Sequence, residues 1–345
     1  MIPHSRPFLG LEEEAAVVAV IRSGQLAAGE RVAAFERGVA GRVGVGQAVA
    51  VSSGTAALHL ALVALGAGPG DEVAFPTYVC SALFQAVRYV GAAPLLIDVD
   101  PETFNLDVRD LRRRVTRRTR AVILPHMFGL PADAEAVRAV GLPVIEDCAM
   151  SLGATMGGRP AGAWGDLSVF SFYATKVIAC GEGGMVATRD EGLAARVRDA
   201  RDYDGRGDAA MRFNYKLSDL HAAVGEAQLG RLDAFIARRR EVAGRYSAAL
   251  SGASCHLPRH DAGHIFFRYV VRVSGDLEGR LAAFERVGVA ARRPVFCPIH
   301  RMPGLDEKAF PGAEGAHRSA LSLPLYPALS EEEAETVVRA AREIL

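Results

Sequence analysis

Residues 144–184 read VIEDCAMSLGATMGGRPAGAWGDLSVFSFYATKVIACGEGG, and their pattern decides the fold. Val144 to Asp147 is an apolar run closed by two acids. That is how a buried strand of an open parallel sheet reads when its carboxyl end delivers side chains into a ligand crevice. A glycine-rich turn region follows. Leu167 to Lys176, LSVFSFYATK, is a second apolar run that presents Ser171 and then, after aromatic residues, Lys176. Apolar surroundings strip water from an ammonium group and pull its pKa down toward nucleophilicity.

A strand-end carboxylate and a desolvated lysine are the two protein groups that pyridoxal phosphate chemistry requires. The acid faces the pyridinium nitrogen and the amine bonds to the aldehyde carbon. Outward from this stretch the chain alternates strand and helix signals: 49–51, 73–75, 94–98 and 121–125 as strands, with helices after Gly54, after Pro76 and near 132–139. Such alternation predicts an α/β fold with a mostly parallel sheet covered by helices on both faces. Strand 49–51 turns through Ser52, Ser53 and Gly54 into a helix beginning near Thr55, an arrangement that offers free backbone N–H groups to a phosphate.

Before this core, 11–22 and 30–41 have helical spacing of apolar residues and read as an N-terminal arm. After it, 217–249 reads as one long helix or two collinear ones. Then come a strand over 264–273, a helix over 277–288, a strand over 292–296, and a terminal helix with Ser330 as its N-cap. These elements predict a smaller C-terminal α+β domain.

Composition narrows the partners. The chain of 345 residues is half apolar, enough for one large domain and a smaller one. Forty basic residues balance forty acidic ones, so no net field favours nucleic acid or an anionic membrane. The five cysteines (Cys80, Cys148, Cys180, Cys255, Cys297) are odd in number, scattered and never in a CxxC pair, which argues against a disulfide framework and for a reducing, cytoplasmic setting. The opening MIPHSRPFLG lacks the apolar core of a signal peptide, and AVAVSSGTAALHLALVALGAG is too interrupted by polar residues to span a membrane. Cys255, His256, His260 and His264 are spaced as metal ligands would be on a helix, but Pro258 breaks any such helix, and no metal site is expected. His126 reads as a packed core histidine and Glu146 as a structural acid.

Several further motifs stand in one order along the chain: SSGTAALHLAL at 52–62, GPGDEV at 68–73, DVDPETFNLD at 98–107, GRPAGAWGD at 158–166, GEGGMVAT at 181–188 and NYKLSDLHAAVGEAQL at 214–229. With ED at 146–147 and FSFYATK at 170–176, they resemble the sugar aminotransferases of the DegT and StrS family. The resemblance implies a fold-type-I aminotransferase: an N-terminal arm and large pyridoxal 5'-phosphate-binding domain over 1–240, and a small domain over 241–345. It implies that Lys176 binds the cofactor covalently and then shuttles the substrate proton, and that Asp147 faces the pyridine nitrogen. Gly54, Thr55 and Ser171 would hold the phosphate. Asn214 would reach the phosphate of the neighbouring subunit, making a homodimer with shared sites. The implied reaction moves an amino group, with glutamate as expected donor, onto a keto group of a nucleotide-linked deoxysugar.

Three positions depart from the family pattern. Many relatives place Gln where this chain has Met150, so a hydrogen bond to the cofactor's phenolic oxygen gives way to packing. Many stack an aromatic side chain on the ring where this chain has Cys80, with Tyr78 as the nearby substitute. Lys216 stands where arginine is usual, and the two are not interchangeable at a bidentate site. Lys216 and His300, the latter in the motif RPVFCPIHRMPG, are substrate-site candidates, and Arg22, Arg31, Arg292 and Arg293 are candidates for a diphosphate. A cyclitol or an aminobenzoate-type precursor is the alternative substrate, and a regulatory or binding protein on the same fold is the alternative class.

Overall fold

The computed structural model describes residues 1–345. The first half runs through α1 (Leu11–Ser23), α2 (Glu30–Val43), β1 (Gln47–Val51), α3 (Gly54–Ala64), β2 (Glu72–Pro76), α4 (Ala82–Tyr89), β3 (Ala93–Ile97) and α5 (Val108–Arg114). It continues with β4 (Thr119–Pro125), α6 (Ala134–Arg138), β5 (Val144–Asp147), a small hairpin of β6 (Thr155–Met156) and β7 (Arg159–Pro160), β8 (Leu167–Ser171), β9 (Gly184–Thr188) and α7 (Glu191–Arg201). Seven of these strands form one sheet in the order β1-β9-β8-β5-β4-β2-β3. All neighbours in it are parallel except at β9, which runs against both β1 and β8. Strands β2 and β5 are buried along their whole length, as a sheet covered on both faces requires.

The second half comprises α8 (Asp219–Gly230), α9 (Leu232–Ala249), β10 (Cys255–His256), β11 (Tyr269–Val273), α10 (Leu277–Arg286), α11 (Pro311–Ser319), β12 (Ala320–Leu323) and α12 (Glu331–Ile344). Strands β10, β11 and β12 make a second, antiparallel sheet. The 217–249 stretch is two helices that meet at Arg231, whose φ of −101° leaves the helical range. Helix α9 serves two cores. Leu232, Phe235 and Ile236 pack with Phe35, Phe170 and Phe172 of the large sheet's surroundings, whereas Val242, Ala243 and Tyr246 pack with the small sheet and α12. Ser330 caps α12 through a reciprocal bond with Glu333, as the sequence predicts.

Two expected strands are shorter than expected or absent. Of 264–273 only Tyr269–Val273 is a strand. The preceding residues spend their N–H groups elsewhere: Ile265 N donates to Gly129 O and Arg268 N to Phe128 O, which ties this segment to the loop after β4. Residues 292–296 make one isolated bridge, Arg292 to Ser322, and no strand. Pro294 has no N–H to extend the ladder.

Candidate active site

Parallel strands end on a common edge, and that edge builds the site. Asp147 ends β5 and Ser171 ends β8, while Val51 ends β1 two residues before the N-cap of α3. A cavity of about 500 Å³ lies there, and its lining includes Gly54, Thr55, Cys80, Asp147, Met150, Ser171 and Lys176. Seven of the sequence-predicted residues are thereby brought together from four stretches, 54–55, 80, 147–150 and 171–176.

Two close approaches shape the anion end of this cavity. Ser53 caps α3 by accepting from Ala56 N through its side chain, and its carbonyl accepts from Ala57 N. Gly54 and Thr55 begin the helix, where N–H groups lack intrahelical partners. A Cβ on Gly54 would lie 2.8 Å from Ser171 Cβ and 3.1 Å from Ser171 Oγ. Gly184, paired with Val51 on one side and Ser171 on the other, is equally constrained, because a Cβ there would lie 2.2 Å from Ser53 O. Glycine at both positions lets a helix N-terminus and a strand-end hydroxyl converge, which makes a cradle for a phosphate.

Asp147, at the end of β5, and Lys176, in the turn that follows β8, line the same cavity. Asp147 is buried and its Oδ1 accepts from Ala149 N at 3.0 Å. Burial raises its pKa, opposed by the Ala149 hydrogen bond and by the charges of Lys176 and His126. Lys176 is half-buried, with Nζ 5.6 Å from the centroid of the Phe267 ring. Removal of water from its ammonium lowers its pKa below the ordinary lysine value, against the pull of Asp147. In both groups burial outweighs the opposing charge.

Glu146 points away from this chemistry. It is fully buried, and its two oxygens accept from the N–H groups of Gly162, Trp164 and Gly165 at 2.6–2.9 Å and from His126 Nε2 at 2.9 Å. His126 Nδ1 accepts from Ala132 N, which leaves the proton on Nε2 and makes this ring a packed core histidine. Cys148 lies close to both, but every Glu146 oxygen is already engaged and burial pushes the thiol pKa well up, so the trio is a packing cluster.

Other predicted residues lie elsewhere. Tyr78 does not reach the cavity: it is fully buried, with its ring 5.9 Å from that of Phe104. Met150, Cys80, Phe128 and Phe267 do line the cavity. His300 is fully buried outside the cavity, with Nδ1 2.9 Å from Thr77 Oγ1, Nε2 3.0 Å from Glu314 Oε1, and its ring stacked on Phe310. It pins the 298–302 segment to the turn after β2 and is not free to meet a substrate. Lys216 pairs with Asp202 and Asp204 at 2.6 and 3.0 Å, which raises its pKa, and it does not line this chain's cavity. Asn214 is exposed and also outside the cavity, although the carbonyl of the next residue, Tyr215, accepts from Ser52 N beside the cradle. Arg22, Arg31, Arg292 and Arg293 all lie outside the cavity, Arg31 paired with Glu226 and Arg293 with Glu278.

Several cavity residues were not singled out from the sequence, among them Phe128, Phe267 and Arg268. Arg268 lines the cavity, and its guanidinium donates to the ring of His4. Nothing in HIFFRYVVRV distinguishes it from a solvent-facing arginine on a strand.

Fold and site together define an enzyme of the aminotransferase class. The chain belongs to the DegT/DnrJ/EryC1/StrS aminotransferase family, whose model matches residues 8–342. It is 38% identical over 342 residues to a GDP-perosamine synthase of Caulobacter vibrioides, covering 92% of this chain and 91% of that one. Among solved structures it is similar to the aminotransferase TlmJ from Streptoalloteichus hindustanus, with a TM-score of 0.95 at 35% identity over 99% of this chain and 98% of the other. It is also similar to the PLP form of the sugar aminotransferase Spr1654 from Streptococcus pneumoniae, described in that structure as putative, with a TM-score of 0.93 at 26% identity over 100% and 99% of the two chains.

Proposed function

We propose that this chain is a pyridoxal 5'-phosphate-dependent aminotransferase that transfers an amino group from glutamate to a keto group of a nucleotide-linked deoxysugar. The single observation that carries the reading is the convergence of Asp147, Lys176 and the Gly54–Thr55–Ser171 cradle on one cavity. The nucleotide-linked acceptor is supported by the GDP-perosamine synthase relative.

The residues present fit the cofactor. The cradle that a Cβ would fill suits its phosphate, and the buried acid suits its ring nitrogen. Lys176 supplies the amine that its aldehyde needs. When bound, the cofactor supplies an electron sink for the pair released as the donor's Cα–H bond breaks. Gly54, Thr55 and Ser171 would hold the phosphate, and Asp147 would keep a proton on the ring nitrogen. Lys176 Nζ, favoured in its neutral form by burial, takes the proton from Cα. Met150, Phe128 and Phe267, apolar residues of the cavity wall, would exclude water from the ring.

The same reading places a domain boundary near residue 240, inside α9, where packing passes from the large core to the small one. It also makes the working unit a cytoplasmic homodimer. Asn214, exposed and beyond reach of its own cavity, then serves the partner's phosphate, and no helix is long and apolar enough to cross a membrane.

Purified protein supplied with pyridoxal phosphate should show the visible absorption of a lysine-bound cofactor. Glutamate should bleach it, and Lys176→Ala should show neither effect. A panel of GDP- and UDP-linked keto-sugars, read by product mass, then identifies the acceptor. A wild-type spectrum that ignores glutamate would overturn the reading.

A further inference from the structure

Burial raises the pKa of three of the five thiols, Cys148 well up, Cys180 to about 12 and Cys255 above its ordinary value, which keeps them protonated and inert. The other two, Cys80 and Cys297, come from opposite halves of the chain and both line the active cavity, the first exposed and the second half-buried. One clamp brings them there. Ile299 N donates to Thr77 O at 2.8 Å, His300 N donates to Thr77 Oγ1 at 2.8 Å, and His300 Nδ1 lies 2.9 Å from the same hydroxyl. From this clamp the two segments enter the cavity together, Val79 and Cys80 on one side and Val295, Phe296 and Cys297 on the other. Cys80 stands three residues beyond Thr77 and Cys297 three before His300, so each Cα lies within about 10 Å of the clamp. Equal arms from one fixed point thus lead the two thiols into one cavity.

A disulfide needs Cα atoms about 4.4–6.8 Å apart. Residues 78–80 and 294–297 lie outside every helix and strand, so no hydrogen-bond ladder opposes the shift that closure needs. Each thiol also has a cation at hand. Lys176, pulled down by burial, is held up by the charges of Asp147 and Cys80. Arg301, raised chiefly by its hydrogen bond to Glu314, is raised further by Cys297. Cations favour the thiolate, the form that attacks an oxidant.

We propose that Cys80 and Cys297 are a modification site, which a hydroperoxide converts to a reversible disulfide that staples the mouth of the cavity. One thiolate attacks a peroxide oxygen, breaks the O–O bond and becomes a sulfenic acid as hydroxide leaves. The second sulfur then displaces the sulfenic oxygen as water. With hydrogen peroxide, two thiols and one H2O2 give one disulfide and two water molecules, and two electrons pass from sulfur to oxygen. A dithiol reverses the step by exchange. The bond ties the residues just before α4 to the 294–297 segment across the cavity, so substrate entry stops while it lasts. A disulfide of this kind in a reducing compartment is a transient, redox-sensing one. Only its consequence, a halt in amino transfer, rests on the proposed function.

The test treats cofactor-loaded wild type, Cys80→Ser and Cys297→Ser with hydrogen peroxide, then counts free thiols in denaturant with a colorimetric thiol reagent. Wild type should fall from five thiols to three, and peptide mass mapping should show residues 80 and 297 joined within one chain. Dithiothreitol should restore all five. Neither variant should form an internal disulfide, and because each lacks a different partner, one that fails to fold leaves the other to decide. Amino transfer by oxidised wild type should fall at least about tenfold and recover with dithiothreitol. The proposal is overturned if wild type keeps five thiols, or if the lost thiols map to Cys148, Cys180 or Cys255. It is also overturned if the link joins two chains, if sulfinic acid forms in its place, or if the linked protein turns over within twofold of the reduced one. A link that forms in a protein whose spectrum ignores glutamate retains the thiol site and refutes the aminotransferase reading, so the two failures are distinguishable.

Discussion

Replacing Gly184 with alanine tests the phosphate cradle through backbone geometry alone. The new Cβ would lie 2.2 Å from Ser53 O, 2.4 Å from Ser53 C and 2.7 Å from Gly54 N. These are main-chain atoms, so no side chain can rotate away. Restoring van der Waals contact requires the turn that carries Ser53 and Gly54 to retreat by about 1 Å. Overpacking of this kind costs about 1–3 kcal/mol of stability. The same retreat draws the start of α3 away from Ser171, whose Oγ lies 3.1 Å from where a Gly54 Cβ would be, so helix N–H groups and hydroxyl no longer converge on one anion. A hydrogen bond to a charged group contributes about 1.5–3 kcal/mol, and misaligning one should weaken pyridoxal phosphate binding about 10- to 100-fold. Absorbance titration of the apoprotein measures this, beside urea denaturation to separate stability from affinity. Gly46→Ala is the control, since a Cβ there meets nothing within 4 Å. A folded Gly184→Ala protein that binds the cofactor within twofold of wild type would refute the cradle.

Two further outcomes follow from the same geometry. Burial alone would raise the pKa of Glu146, but the His126 hydrogen bond and charge, with the N–H groups of Gly165 and Gly162, hold it below the ordinary value of 4.5. Its folded pKa is depressed, so its stabilisation is complete above the unfolded pKa and is lost as pH falls through the folded one. Glu146→Gln should cost about 2–5 kcal/mol at neutral pH, because an amide NH2 would face N–H donors, and should flatten the acid limb of stability. Superimposable urea curves for the two proteins at pH 7 and pH 4 would sink that account. For the shared-site proposal, mixed and refolded Lys176→Ala and Asn214→Ala proteins should recover about a quarter of wild-type activity per site, from heterodimers that assemble one intact site from two damaged chains. Activity equal to the sum of the separate parents would count against sharing.

The stretch that fixed the reading did so because its information is local. VIED and LSVFSFYATK are short apolar runs whose ends carry the reactive groups, and strands of a parallel sheet end on one edge by construction. Asp147, Ser171 and Lys176 had to converge once both runs were strands. Gly54 and Gly184 needed one step more. The sequence marks each as glycine, but only the register Val51–Gly184–Ser171 shows that the two belong to one close approach. His300 was misread because its partners are remote. Thr77 and Glu314 stand 223 and 14 residues away, and a buried ring held by both cannot be told from a substrate-facing one by its neighbours.

Arg268 shows where local rules fail outright. A regular strand over 264–273 would alternate faces residue by residue, and Arg268 would carry no special meaning. The chain instead passes through Phe266 at φ 49° and meets a loop that passes through Phe128 at φ 57°. A bulky aromatic residue disfavours that backbone region, so neither turn is what Phe prefers. The bonds from Ile265 N to Gly129 O and from Arg268 N to Phe128 O hold the two turns against each other, and each stabilises what the other could not adopt alone. Phe128, Phe267 and Arg268 all line the cavity as a result. This wall of the cavity is therefore a product of docking between the two halves of the chain. A substitution that relaxes either turn, such as Phe128→Gly, should loosen this wall while leaving Asp147 at the end of β5 and the phosphate cradle in place, so the visible absorbance of the bound cofactor should survive it.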